Sequence, residues 1–307
     1  MWDWAALGAG AVVAAPLLRE ALRHKMDGRA RKAAPGGMLK LTGGETYFRW
    51  IGPADGPVAI CVHGLTTPSM VWQAVAEGLA ADGYRVLLYD LFGRGYSDRP
   101  RARHDRALFH AQLTELLDQL SITGPVTLLG YSMGGAIAAS WAAAHRDRVE
   151  RLILLAPAGM AHDIGRMTRL MRDTPLLGDW LMLLLYGIQH RRATPPEDGE
   201  GDVAGIGAYQ RDEIRWRGFV PAVLSSLRGI LAEDLAPDHR ALRAQGLPVL
   251  AIWGREDRVI PIRAMGVLAS WNPDAHHAQI DGAGHGLPHT HARAVVAAAR
   301  RWRDGAG

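Results

Sequence analysis

The hydrophobic positions of this chain change their period along its length. An apolar run from Trp4 to Leu18, uncharged until Arg19, opens it. From about residue 38, short apolar runs alternate with segments whose apolar residues recur every three or four positions. Thr46 to Ile51, Pro57 to Val62, Tyr84 to Asp90, Pro125 to Tyr131, Arg151 to Ala156, Leu247 to Trp253 and His276 to Asp281 read as strands. Several, Tyr84 to Asp90 with its run Val86 to Tyr89 among them, are continuously apolar in the middle, as strands covered on both faces are. Ser69 to Asp82 reads as a helix with Val71, Trp72, Val75 and Leu79 on one face. Asp105 to Leu120 reads as another, with Leu108, Leu113, Leu116, Leu117 and Leu120 inward. Met133 to about His145 and His289 to Trp302 complete the set. Strands alternating with helices predict an α/β protein with a mostly parallel sheet and helices on both faces.

Between Ala158 and Arg243 the strand signal stops and the pattern is helical, near Ile164 to His190 and from Ala208 to Leu235. The polar, Gly-rich stretch Thr194 to Asp202 separates these runs and reads as a mobile loop. A helical block between two strands of a parallel sheet is a lid. The expected organisation is an apolar N-terminal helix and basic linker (1–37), an α/β core (38–157 and 244–307) and an inserted helical cap (158–243).

Composition changes this picture little. The 307 residues are 48% hydrophobic and 21% charged, enough apolar material for a sizeable core, and the formal net charge is +4. A basic balance is compatible with nucleic acid, but no Cys/His zinc spacing and no Lys/Arg stripe interleaved with aromatics accompanies it, so no nucleic-acid partner is expected. The single cysteine, Cys61, rules out an intramolecular disulfide. Oligomeric state is not legible.

The N-terminal run matters more. Residues 4–18 as a helix would rise roughly 23 Å, short of the ~30 Å hydrocarbon core of a bilayer. No basic region precedes them, which argues against a cleaved signal peptide. Trp2 and Trp4 suit a membrane interface, and the basic residues from Arg19 to Lys32 would hold the body on the cytoplasmic side. Membrane association through residues 4–18 is therefore expected, with the body cytoplasmic. The alternative is a terminal helix lying on the body of the protein.

The chemistry is concentrated in glycine-rich loops. Gly130-Tyr131-Ser132-Met133-Gly134 places a serine between a strand and an Ala-rich helix, the context of a nucleophile elbow. A serine hydroxyl needs a base within hydrogen-bond reach. Among 13 histidines, His285 in Gly282-Ala283-Gly284-His285-Gly286 follows the last strand, at the same sheet edge as the elbow. His289 and His291 start the closing helix, and His276 and His277 start a strand, at the wrong end. An acid must orient the base, and Asp257, after the strand Leu247 to Trp253, is the candidate ahead of Glu256. An oxyanion hole needs two backbone N–H groups, for which Met133 and Leu65 are placed. His63 reads as a structural histidine of that loop, and Asp90 to Asp98 as a structural loop beside the site.

With His63-Gly64, Asp90 to Ser97, Gly130 to Gly135, Gly254 to Asp257 and Gly282 to His285 in this order, the chain resembles the α/β-hydrolase superfamily from about Leu41 to Trp302. The resemblance implies an eight-stranded, mostly parallel sheet with a helical cap after the sixth strand. Pro288 stands one position later than the family pattern has it, which bears on where the last helix begins. Ser132 argues against the dehalogenase and epoxide-hydrolase branches, which need a carboxylate there.

The resulting expectation is a serine hydrolase with Ser132, Asp257 and His285 as triad. No metal and no organic cofactor is expected. Pro175 to Tyr186 is apolar nearly all round if helical, so more than one face should be buried. A greasy lid beside the expected membrane-associated segment points to an apolar acyl ester, of monoacylglycerol or lysophospholipid type, and the chain resembles monoacylglycerol-lipase-like hydrolases in this general way. The rival is a C–C bond hydrolase of ring-cleavage products, whose carboxylate Arg166, Arg169 or Arg172 would bind. A non-enzymatic binding module is the third reading, and the intact triad speaks against it.

Overall fold

A computed structural model describes residues 2–160, 164–194 and 201–305. The chain opens with helix α1 (Trp2–Ala21), followed by a hairpin of β1 (Gly37–Leu41) and β2 (Gly44–Ile51). Then come β3 (Val58–Val62), α2 (Gln73–Ala81), β4 (Arg85–Tyr89), α3 (Arg106–Gln119), β5 (Val126–Tyr131), α4 (Met133–Ala144) and β6 (Val149–Leu155). Among the described residues, five α-helices separate β6 from the next strand: α5 (Arg166–Asp173), α6 (Leu177–Ala193), α7 (Ile206–Asp212), α8 (Phe219–Arg228) and α9 (Ala236–Ala244). The chain closes with β7 (Val249–Gly254), α10 (Arg263–Trp271), β8 (His276–Ile280), α11 (Leu287–Thr290) and α12 (Ala292–Arg303).

The strands of the described residues form one 8-stranded sheet in the order β1-β2-β4-β3-β5-β6-β7-β8. The β1–β2 and β2–β4 pairs are antiparallel and every later pair is parallel. Parallel neighbours need a crossover, and here helices supply it on both faces: α12 packs on α2, while α4 packs on α3 and α9. In the middle, β5 and β7 are buried at every residue, which explains their unbroken apolar sequences.

Several elements depart from the sequence reading. The first strand, β1, was not legible: Gly37 and Lys40 break its alternation, and it is an edge held on one side only. In α3 Leu113, Leu116 and Leu117 face inward as expected, but Phe109 and Gln112 share that face, while Leu108 and Leu120 are half-buried. Gln112 serves polar neighbours, accepting from the Phe92 N–H at 2.9 Å and donating to the Asp90 carbonyl at 3.0 Å. The expected closing helix is two helices, because α11 starts at Leu287 with Pro288 in its first turn, and His291, at φ −137°, interrupts the helix before α12.

The run expected from Ile164 to His190 is broken at Leu176, whose φ is 62°. Gly178 then passes so close to α5 that a Cβ would lie 2.0 Å from the Met171 carbonyl oxygen, which only glycine permits. Within α6, Gly178, Met182, Leu183 and His190 are buried, but Leu177 and Ile188 stay more than half exposed. More than one face of this helix is covered, as expected, but Leu176 and Leu177 at its start stand open. Its second face carries α1, which lies alongside: Trp180 Nε1 donates to the Val13 carbonyl at 3.1 Å, and the Arg19 guanidinium donates to the Leu183 carbonyl. No helix among the described residues is long and apolar enough to cross a membrane. Of the loop expected from Thr194 to Asp202, residues 195–200 lie outside the described residues.

Candidate active site

Ser132 stands between the last residue of β5 and the first of α4, at φ 53° and ψ −119°. An L-residue adopts this backbone only under constraint. The constraint is visible in the hydrogen bonds around it: the Ser132 N–H donates to Leu155 at 3.0 Å, and its carbonyl accepts from Ala158 at 3.0 Å. The flanking glycines allow the turn to close. A Cβ on Gly130 would meet the Gly134 carbonyl at 2.5 Å, and one on Gly134 would meet the Val62 carbonyl at 2.1 Å.

His285, in the loop after β8, reaches back to this serine. Its Nε2 lies 3.0 Å from Ser132 Oγ, and its Nδ1 lies 2.8 Å from Asp257 Oδ2. Asp257 is buried, and its other oxygen accepts the N–H groups of Val259 at 2.7 Å and Ile260 at 2.8 Å. That leaves Oδ2 to one partner. With the carboxylate accepting, Nδ1 is the protonated nitrogen and Nε2 is free to accept from the serine hydroxyl. Tyr131 packs against the imidazole, ring centroids 5.2 Å apart.

The residues proposed for the oxyanion hole are also brought to Ser132. Met133 opens α4, so its N–H is among the first-turn donors without a carbonyl one turn back. Gly64 packs so near the serine that a Cβ on it would lie 3.4 Å from Ser132 Cβ. That proximity sets the Gly64–Leu65 peptide beside the nucleophile. His63 fixes this peptide from behind: its Nδ1 meets the Gly64 carbonyl at 2.8 Å and its Nε2 accepts the Leu91 N–H at 2.8 Å. Burial pushes the His63 imidazole down to about 3, so it remains neutral and keeps that one tautomer.

The rejected alternatives lie elsewhere. Glu256 is exposed. His289 is buried beside Gly286, held neutral by burial and pushed down to about 4. His276 begins β8 at the opposite sheet edge from His285. Among the described residues no group of three His, Cys, Asp or Glu gathers where a metal ion could be held.

Sequence reasoning took Asp90 to Asp98 as a structural loop and missed what its arginine does. Arg94 is fully buried. Its Nε donates to the Leu65 carbonyl at 3.0 Å, and Nη1 donates to Phe92 at 3.0 Å and His104 Nδ1 at 3.1 Å. Nη2 crosses to α8 and reaches Ser226 Oγ at 2.8 Å. Burial draws this guanidinium down to about 9, opposed by Tyr186 and by Glu213, which burial in turn raises to about 7. An arginine between two glycines at the end of a buried strand was the available signal.

Sheet order, connectivity and the Ser–His–Asp line place the chain among serine-hydrolase-type enzymes of the α/β-hydrolase fold. It belongs to the family described as serine aminopeptidase, S33, whose model matches residues 53–289. A 2-hydroxymuconate semialdehyde hydrolase of Pseudomonas putida is 30% identical over 243 residues, 78% of this chain and 84% of the relative. The magnesium-chelatase 30 kDa subunit of Rhodobacter capsulatus is 30% identical over 265 residues, 83% of this chain and 89% of that protein. In three dimensions the chain is similar to a thermophilic esterase from Thermogutta terrifontis, with a TM-score of 0.71 and 24% identity over 89% of this chain and 99% of the esterase. The chain is thus a hydrolytic enzyme, and relatives this different in name leave its substrate to be argued from the site.

Proposed function

We propose that the protein hydrolyses carboxylic esters of apolar acyl groups, with monoacylglycerol- or lysophospholipid-like esters as the substrate class. One observation carries the reading. The apolar cluster inside the helical block, built on Met171, Met182, Phe219, Val223 and Leu224, extends to Leu65. Leu65 packs equally against the main core, so it lies where core and cap meet. An acyl carbonyl seated against the Leu65 N–H would lead its chain into that cluster, where apolar burial favours it by about 0.8 kcal/mol per methylene.

In this reading Ser132 Oγ attacks the acyl carbonyl while His285 Nε2 takes the hydroxyl proton. Asp257 stabilises the imidazolium through Nδ1–H. The N–H groups of Leu65 and Met133 receive the negative charge that develops on the carbonyl oxygen. Collapse of the tetrahedral intermediate breaks the ester C–O bond, and His285 gives its proton to the departing alkoxide. A water, deprotonated by His285, then attacks the acyl-enzyme and releases the acid and Ser132.

Hydrolysis of p-nitrophenyl esters from acetate to palmitate, by wild type beside Ser132→Ala, tests the proposal. Turnover peaking at medium or long chains and lost in the variant is the expected result. Activity confined to acetate overturns the apolar acyl site.

The relative named for 2-hydroxymuconate semialdehyde supports C–C hydrolysis as the second reading. The cations proposed for a substrate carboxylate speak for the ester instead. Arg166 and Arg169 are exposed on α5, and Arg172 is paired with Asp173 at 2.6 Å. Fluorophosphonate labelling of Ser132 without turnover of any ester would favour the C–C reading.

A further inference from the structure

Helix α1 presents an apolar surface that the other described residues leave uncovered. Of its side chains from Leu7 to Ala21, only Pro16 is buried. Leu7, Val12, Val13, Leu17 and Leu18 are each 53–63% exposed, and Leu22, just beyond, is 83% exposed. The neighbouring edge of α6 continues the patch through Leu176, Leu177 and Ile188, exposed by 86%, 54% and 53%. Isolated exposed leucines are ordinary, but this many on two helices in contact mark a contact surface.

Charge is arranged around this patch in one sense. A cleft of about 370 Å³ between the end of α1 and α6 is lined by Arg19, Arg23, Arg191 and Arg215, with Leu22 and Ile188 beside them. On the other side of α1, a groove of about 590 Å³ is lined by Lys25, Arg101 and Arg217 next to Leu17. The acids nearby are already engaged. Glu20 accepts the Gly218 N–H at 2.6 Å and pairs with Arg23 at 2.8 Å, and Asp212 pairs with Arg215 at 3.4 Å. Arg19 and Arg191 have no carboxylate partner among the described residues.

We propose that α1 and the adjoining edge of α6 form a docking surface for an anionic phospholipid bilayer, with the apolar face entering the acyl boundary and the two arginine-lined clefts taking phosphate headgroups. The helix lies along the surface: α1 is fastened to α6 through Trp180 and Arg19, and no described helix is long and apolar enough to cross. A second copy of the chain fits the same face poorly, since it would enclose both sets of arginines in one apolar interface without counter-charge. The proposal holds whichever bond Ser132 cleaves.

Vesicle flotation of the full chain tests it, with phosphatidylcholine alone and with phosphatidylcholine and phosphatidylglycerol at 7:3. Wild type is expected to float with the anionic vesicles, and far less with the neutral ones or in 1 M salt. Arg191→Glu with Arg215→Glu should weaken binding at least about fivefold per arginine. Leu17→Asp with Leu18→Asp should abolish it. Unchanged circular dichroism and unchanged fluorophosphonate labelling of Ser132 confirm that both variants fold. No flotation of wild type on anionic vesicles, or flotation indifferent to both variants, overturns the proposal. A lipid-free dimer that Leu17→Asp with Leu18→Asp dissociates, without vesicle binding by wild type, assigns the face to a second copy instead.

Discussion

Arg94 Nε and the carbonyl oxygen of Leu65 are 3.0 Å apart, and through that contact a fully buried guanidinium holds the loop that faces Ser132. The same guanidinium reaches Ser226 on α8, so the loop and the helical block are tied by one side chain. Its fork geometry is what allows this, because Arg can direct several donors in fixed directions where Lys cannot.

Arg94→Lys should therefore act on the chemical step. If the Leu65 N–H loses its aim at the developing oxyanion, kcat falls by about tenfold or more, up to the 10²–10³ seen when an oxyanion donor is removed. KM should change much less. Ser226→Ala, which leaves the Leu65 contact intact, should lower stability by about 1 kcal/mol with kcat near wild type. Steady-state kinetics of both variants on one ester checks this. Equal losses of kcat in the two would assign Arg94 to cap stability alone.

Asp257 offers a second test, because its two oxygens do different work. Oδ1 is held by the N–H groups of Val259 and Ile260, and Oδ2 receives His285. Asp257→Asn keeps the shape but can present an amide to Nδ1, which favours the wrong imidazole tautomer. A loss of about 10⁴ in kcat is expected. Glu256→Gln, altering an exposed neighbour, should leave kcat unchanged. If the two substitutions cost the same, Asp257 does not orient the base.

What the sequence disclosed about the fold and the site follows from how local the signals are. Ser132, Asp257 and His285 each stand in a loop just after a strand, and tight turns there demand glycine at fixed positions. Buried parallel strands leave continuous apolar runs such as Val126 to Tyr131. The role of Arg94 was not legible, because its partners on α8 are more than a hundred residues away and leave no periodic trace. The α1–α6 contact was hidden for a related reason. An apolar terminal helix reads either as a membrane segment or as one lying on the body, and only coordinates show what it touches and which side stays open.

Two glycines separate folding from catalysis. A methyl on Gly134 would lie 2.1 Å from the Val62 carbonyl, a backbone atom in the middle of the sheet that has nowhere to move. Gly134→Ala should cost several kcal/mol and yield little soluble protein. A methyl on Gly64 would meet Tyr131 at 3.2 Å and Ser132 Cβ at 3.4 Å, contacts that small shifts can relieve. Gly64→Ala should keep a thermal midpoint within a few degrees of wild type and still lose activity, since those shifts fall on the nucleophile. Thermal unfolding and ester hydrolysis, measured on the same samples, decide it; wild-type turnover by Gly64→Ala would show that the loop tolerates displacement.

His239 carries a prediction about pH. It is fully buried on α9, its ring 5.9 Å from that of Trp271, and neither ring nitrogen has a hydrogen-bond partner among the described residues. Burial pushes the imidazole down to about 4, against 6.5 in the unfolded chain. Below pH 6.5 the unfolded chain binds a proton at His239 that the folded protein refuses, so the contribution of His239 to stability falls as pH drops from about 6.5 to about 4 and is constant above that window. His239→Leu removes both the unsatisfied polar atoms and the proton linkage. At pH 8 it should raise stability by about 1 kcal/mol. At pH 5 the advantage should grow by about a further 2 kcal/mol, the linkage accumulated over 1.5 pH units below 6.5. Urea unfolding of wild type and variant at both pH values measures the difference directly. A gap that stays constant between pH 8 and pH 5 would mean that the folded protein accepts the proton at His239, and a variant less stable at both would mean that the imidazole is satisfied by bound water.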